Sequence, residues 1–157
     1  MIVSSSIFRE YDIRGTYPEQ LNEETIKIIA RAISVKCHKE GITTLAVGRD
    51  GRLSGESLLN AFCDGLIDKG INVNNVGLVT SPLLYFAAKK QNSKSGIMIT
   101  GSHNPKNYNG IKMVINDQPV AGTEILSLIK DVDSENISAK GIIEYNDIKK
   151  DYIDEVC

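Results

Sequence analysis

The chain has 157 residues, 41% hydrophobic and 24% charged, with a net charge of −2. That size suits one hydrophobic core, and that charge excludes a basic nucleic-acid surface. No stretch of 18 apolar residues could span a membrane. Two histidines leave little for a transition-metal cage, and Cys37, Cys63 and Cys157 match no Cys-x-x-Cys spacing. An odd cysteine count without a pairing pattern predicts a reducing, cytoplasmic setting.

The opening Met-Ile-Val-Ser-Ser-Ser lacks the basic segment and apolar core of a secretion signal. Residues 22–40 read as a helix, with Ile26, Ile29, Ala30, Ile33 and Cys37 on one stripe. Asn22 is its expected cap and Gly41 its end. Leu45 to Gly48 is a short buried strand. Ser54 opens a second helix to about Lys69, striped by Leu58, Leu59, Phe62, Leu66 and Ile67. A strand follows within 71–79. Ser81-Pro82 predicts a further helix to about Gln91, with Ser81 as cap and Pro82 in the first turn. Strands at 96–100 and 110–115 flank a loop, and a helix near 123–131 closes the set. Residues 148–156 read as one more helix, and Cys157 reads as an imposed end.

Alternating strands and helices predict an α/β fold, a three-layer α/β/α sandwich. The loop 101–109 is too short for a parallel crossover, which takes a dozen residues or more. The expectation is a mixed four-stranded sheet whose last strand is an antiparallel edge. The pattern weakens after about Ser134.

Chemistry concentrates in Thr100-Gly101-Ser102-His103-Asn104-Pro105, on a loop between two strands. Ser102 is the candidate nucleophile. A serine hydroxyl needs assistance, yet the Gly-x-Ser-x-Gly elbow is absent because position 104 is Asn. Phosphoryl transfer, which relies on positioning and charge neutralisation, suits the loop better. The plainer alternative is that Ser102 and Asn104 only make turn hydrogen bonds. Lys112 follows the Asn109-Gly110 turn. It reads either as a solvated edge lysine or as a cation beside the serine loop. Arg14, in Phe8 to Gly15, is a phosphate-matching fork or part of a solvated arm. Gly48-Arg49-Asp50-Gly51-Arg52 is no nucleotide fingerprint and reads mostly as turn chemistry. Cys37 and Cys63 fall on apolar stripes, and His38 on a polar face.

Four segments together, Tyr11-Asp12-Ile13-Arg14-Gly15, Gly48 to Gly55, Thr100 to Pro105 and Asn109-Gly110-x-Lys112, resemble the α-D-phosphohexomutases. The resemblance is to the phosphomannomutase/phosphoglucomutase branch, and it implies that residues 1–147 are the first of that family's four domains and that 148–157 begin the connection to the second. It implies that Ser102 is the phosphoserine and that hexose 1-phosphate and hexose 6-phosphate interconvert through a 1,6-bisphosphate. Glucose 1,6-bisphosphate is the implied activator. Mg²⁺ would bind through the Ser102 phosphate. Tyr11 and Arg14 match an arm reaching the phosphate or sugar. Lys112 matches a general acid/base, with His103, Asn104 and Asn109 near the substrate. The implied partners are a hexose phosphate and domains II–IV of the same polypeptide. The family's Asp-Gly-Asp-x-Asp metal loop and its sugar-reading loop are not in this sequence. These residues alone are therefore expected not to complete the reaction. The other reading is a freestanding phosphosugar- or anion-binding module without turnover.

Overall fold

The computed structural model describes residues 3–10, 12–91, 93–101, 104–132 and 140–146. Tyr11, Ser102, His103, the expected helix at 148–156 and the whole 148–157 connection lie outside the described residues.

The elements in chain order are β1 (Ile13–Thr16), α1 (Glu23–Lys39), β2 (Thr44–Arg49), α2 (Gly55–Asp68) and β3 (Asn72–Leu78). Then come α3 (Ser81–Lys90), β4 (Gly96–Ile99), β5 (Tyr108–Ile115), β6 (Gln118–Pro119), α4 (Gly122–Leu128) and β7 (Ile143–Tyr145). The strand order is β1-β5-β4-β2-β3-β7, with β6 pairing β5 on the side that β1 also uses. β2 lies parallel to both β3 and β4, and β7 lies parallel to β3. β5 runs antiparallel to β4, as its short connection predicts.

The sheet exceeds the four expected strands, and β5 is not its edge. β1 covers β5 from Tyr108 to Ile111, and β6 covers Val114 and Ile115. The added strands are two to four residues long. They are too short to carry a periodic signal of their own.

Local chemistry sets the helix ends. Asn22 accepts from Thr25 N at 3.0 Å, while Asn22 N donates to the Thr25 hydroxyl at 2.8 Å. That reciprocal box satisfies two otherwise unpaired amides of α1. The cap of α3 is Thr80, not Ser81, with its hydroxyl accepting from Leu83 N at 3.4 Å. Ser54 occupies the cap position of α2, but its hydroxyl caps nothing there; it accepts from Asn109 Nδ2 instead.

The sheet buries two faces. One packs against α1, α2 and α4, with Ile29, Ile33, Leu58, Phe62, Ile97 and Ile111 among its core residues. Fully burying such a side chain contributes roughly 1.5–3 kcal/mol. The other face is smaller and is covered by α3, around Ala46, Leu84, Ala88 and Met98. A Cβ at Gly96 would stand 2.6 Å from Leu84 Cδ1, so glycine lets α3 lie close on β4. Burial pushes the Cys37 and Cys63 thiols up to about 12. His38 is half-buried rather than on an open polar face. Its Nε2 lies 2.6 Å from the Lys69 carbonyl at the end of α2.

Candidate functional site

The parallel strands β2, β3 and β4 end at one edge of the sheet. The chain leaves β2 toward β3 on one side and returns to β4 on the other. Such a reversal opens a crevice at the carboxyl ends of the strands. Here Asp50 follows β2 and Thr100 follows β4. Asp50 N donates to the Ile99 carbonyl at 3.0 Å. The Asp50 carboxylate accepts from the Thr100 hydroxyl at 2.8 Å and from Gly101 N at 3.0 Å. It also accepts from Arg52 N at 3.2 Å. One aspartate thus ties the end of β2 to the start of the serine loop.

Arg52 ties down the far side of that loop. Its guanidinium donates to the carbonyl oxygens of Asn104 at 2.7 Å, Pro105 at 2.5 Å and Tyr108 at 3.1 Å. Its Nε stands 3.7 Å from the Asp50 carboxylate. The planar fork covers Gly101 so closely that a Cβ there would sit 1.9 Å from Arg52 Nε. Gly101 is therefore glycine because the guanidinium occupies the space of a side chain.

Asn104 closes the loop on itself. Its backbone N–H and its Nδ2 both donate to the Gly101 carbonyl, at 3.0 and 2.9 Å. Arg14 reaches the same residue. It makes a forked pair with Asp12 at 2.6–3.2 Å, and its Nη1 approaches Asn104 Oδ1 at 3.4 Å. The Asp12 hydrogen bonds raise the Arg14 guanidinium further above its ordinary range. The N-terminal arm is thus no solvated tail, because β1 pairs Arg14 with Gly110 and delivers it to the loop.

Asn109 is fully buried. Its Nδ2 donates to Ser54 Oγ at 2.8 Å, and its Oδ1 accepts from Gly110 N at 2.9 Å. Lys112 stands opposite Met98 of β4, two residues from Gly110, whose carbonyl accepts from Thr100 N at 2.9 Å. It shares the α3 side of the sheet with Met98 and makes no ion pair with another described residue. β1 pairs with β5 as far as Ile111 and β6 pairs with it from Val114, so Lys112 stands in the interval between them.

The start and far side of the loop therefore meet Asp50, Arg52 and Arg14, Lys112 lies two residues along β5 from Gly110, and Tyr11, Ser102 and His103 lie outside the described residues. Asp50 and Arg52 are the site residues that sequence reasoning passed over as turn chemistry. Their place at the carboxyl end of a central strand was the available signal. A hollow of about 430 Å³ opens beside them, lined by Asp50, Leu78, Thr80, Leu83, Met98 and Thr100. A second, of about 580 Å³, is lined by Asp50 to Leu53 and Lys106.

The Mg²⁺ that the sequence resemblance implies would need several charged oxygens. Among the described residues no group of three or more His, Cys, Asp or Glu side chains could hold a metal. The nearby carboxylates are engaged, Asp50 by Thr100, Gly101 and Arg52, and Asp12 by Arg14. The described residues do not by themselves fit the ion. Among them, no helix is long and apolar enough to cross a membrane.

The chain is 42% identical to the phosphoglucomutase of Neisseria meningitidis serogroup B, over 98% of this chain and 34% of that protein. It is also 42% identical to the phosphomannomutase/phosphoglucomutase of Pseudomonas aeruginosa PAO1, over 97% of this chain and 33% of that protein. The crystal structure of a phosphoglucomutase/phosphomannomutase family protein from Burkholderia thailandensis matches with a TM-score of 0.89 at 36% identity. That match covers 99% of this chain and 36% of the other. The pp63/parafusin of Paramecium shares the fold, with a TM-score of 0.74 at 17% identity, over 99% of this chain and 35% of that one. The chain spans about a third of the length of the curated relatives it matches. A family model described as phosphoglucomutase/phosphomannomutase, alpha/beta/alpha domain I, matches residues 5–137. The chain belongs to the phosphoglucomutase/phosphomannomutase family, as that family's α/β/α domain I.

Proposed function

We propose that the protein carrying this chain interconverts a hexose 1-phosphate and a hexose 6-phosphate through a 1,6-bisphosphate. Ser102 holds the phosphoryl group between the two transfers. In the first transfer the bond between Ser102 Oγ and phosphorus breaks. A new P–O bond forms to the free hydroxyl of the sugar phosphate, whose proton passes to a base, and the released Ser102 Oγ takes up a proton. In the second, the bisphosphate turns around, its other phosphorus bonds to Ser102 Oγ as its bond to the sugar oxygen breaks, and that oxygen takes up a proton while the serine hydroxyl gives one up. Lys112 is the proton-transfer group or the cation beside the migrating phosphoryl. Arg14 is the fork that meets the phosphate, with Asn104 holding the turn and His103 and Tyr11 near the sugar. Asn109, buried against Ser54, supports the loop from behind.

The observation that supports this reading best is how tightly both ends of the serine loop are fixed. Asp50 holds Gly101, and Arg52 holds Asn104, Pro105 and Tyr108. Phosphoryl transfer depends on such positioning more than on covalent assistance. The test uses the complete polypeptide that contains this chain. Incubation with phosphorus-labelled glucose 1,6-bisphosphate should place label on Ser102, located by peptide mapping. Ser102→Ala should remove both label and turnover. A labelled alanine variant would sink the assignment, and tight hexose-phosphate binding without any labelling would favour the binding-module reading.

A further inference from the structure

We propose that Arg52 is a positioning residue for phosphoryl transfer, acting through the loop's carbonyl groups and not by contact with phosphate. This rests on the mutase reading above. An arginine at a phosphate site is ordinarily assigned to the phosphate itself. Here the side chain is only 16% exposed, and both terminal nitrogens donate to backbone carbonyls.

The reason lies in what a phosphate cannot accept nearby. It presents only acceptor oxygens at neutral pH, so a carbonyl lone pair facing it is repulsive and costs desolvation without a partner. A loop that wraps an anion must dispose of its own carbonyls. Arg52 collects those of Asn104, Pro105 and Tyr108 onto one guanidinium. The Gly101 carbonyl accepts from Asn104, and the Asn107 carbonyl accepts from Tyr17 N at 2.7 Å. Each of these five oxygens already has a donor within the protein, and Arg52 accounts for three. Lysine could not replace it, because one ammonium on a flexible stem lacks the planar fork that lies over Gly101 while reaching three carbonyls.

The role separates from direct phosphate contact by the kinetic constant and the loop exchange taken together. A lost contact to the sugar's own phosphate weakens substrate binding, and a lost contact to the phosphoryl on Ser102 lowers kcat with the loop's bonds intact, whereas a lost clamp lowers kcat and also loosens the loop. The experiment compares wild type, Arg52→Lys and Arg52→Met in the complete polypeptide. We expect kcat, and the rate of Ser102 labelling by glucose 1,6-bisphosphate, to fall by roughly a hundredfold in both variants. KM for the hexose phosphate should stay within about threefold. Hydrogen exchange supplies a readout independent of catalysis. The amides of Asn104 and Tyr108, bonded to the Gly101 and Pro105 carbonyls, should exchange roughly tenfold faster or more in the variants. Amides of α1 and β2 should keep wild-type protection, which excludes a general loss of folding.

Unchanged exchange at Asn104 and Tyr108 would overturn the clamp whatever the kinetics. A KM that rises while kcat holds would assign Arg52 to the phosphate and overturn the positioning role. Failure of the wild type itself to label Ser102 would strike the mutase reading instead, and exchange would still decide whether the clamp exists.

Discussion

A methyl group at position 101 tests the packing of the serine loop directly. A Cβ there would stand 1.9 Å from Arg52 Nε, 2.0 Å from Cζ and 2.6 Å from Cδ. No adjustment of a few tenths of an ångström relieves that, so the guanidinium must leave. Leaving breaks its bonds to three carbonyls and its approach to Asp50. Hydrogen bonds from a charged donor contribute roughly 1.5–3 kcal/mol each. Pro105 is exposed, and its carbonyl recovers a water in exchange. The net cost of Gly101→Ala should then be about 2–4 kcal/mol. For a chain of this size that lowers Tm by about 5–15 °C. Urea titration with Arg52→Ala and the double variant completes a cycle. In the Arg52→Ala background the three atoms that crowd the new methyl most closely are gone, and Gly101→Ala should cost less than about 0.5 kcal/mol. An equal cost in both backgrounds would refute the steric account.

Four further outcomes follow from the same geometry. Lys112→Met in the complete polypeptide should lower kcat by about 10²–10⁴-fold with the fold intact; a change within about threefold would make Lys112 a bystander. Burial pushes the Glu23 carboxyl up, but hydroxyl donors Ser57 at 2.5 Å and Tyr17 at 2.6 Å outweigh it and hold the group below its usual range. A depressed folded-state value gives stability that is present above the unfolded pKa and lost as pH falls through the folded one. Melting curves from about pH 6 to pH 3 should therefore fall more steeply for wild type than for Glu23→Gln, and parallel curves would contradict this. Lys36 bridges Glu40 at 2.5 Å and Glu124 at 2.6 Å, joining α1 to α4. Lys36→Met should cost about 1 kcal/mol at low salt and clearly less in 1 M NaCl, and a salt-independent cost would mean lost packing instead. Cys37 and Cys63, with thiols pushed up to about 12, should resist alkylation at pH 8 in the native protein and react once urea unfolds it. Fast native labelling of either would show that its helix opens readily.

Legibility differed by the kind of bond involved. α1 could be read because its apolar stripe and its Asn22 cap lie within one stretch of chain. The antiparallel turn of β5 followed from a connection too short to cross over. β1 could not be read, since Ile13 to Thr16 become a strand only by pairing with Tyr108 to Ile111, far along the sequence. β6 and β7 are likewise made by their partners. At the site, the serine motif and Arg14 stood out because their side chains carry the signal. Arg52 did not, because what it binds is backbone. Any residue presents a carbonyl, so nothing in the identities of Asn104, Pro105 and Tyr108 announces a guanidinium waiting for them. The Thr80 cap was missed by one position, since Ser81 next to Pro82 offered the same chemistry.

The parallel pairing of β7 with β3 bears on where this unit can be cut. The family match ends at residue 137, yet Ile143, Glu144 and Tyr145 still belong to the sheet, laid along Val73, Asn74 and Asn75. Gly141 donates to the Ile67 carbonyl at 2.9 Å, and Ile142 N donates to Asn72 Oδ1 at 3.0 Å. A recombinant boundary drawn at the family match would strip that strand and bare the ladder groups of β3 along a row containing Val73. Exposed strand edges of this kind recruit other chains. The last described residues thus act as a selvedge, a woven border that keeps the sheet from joining its neighbours.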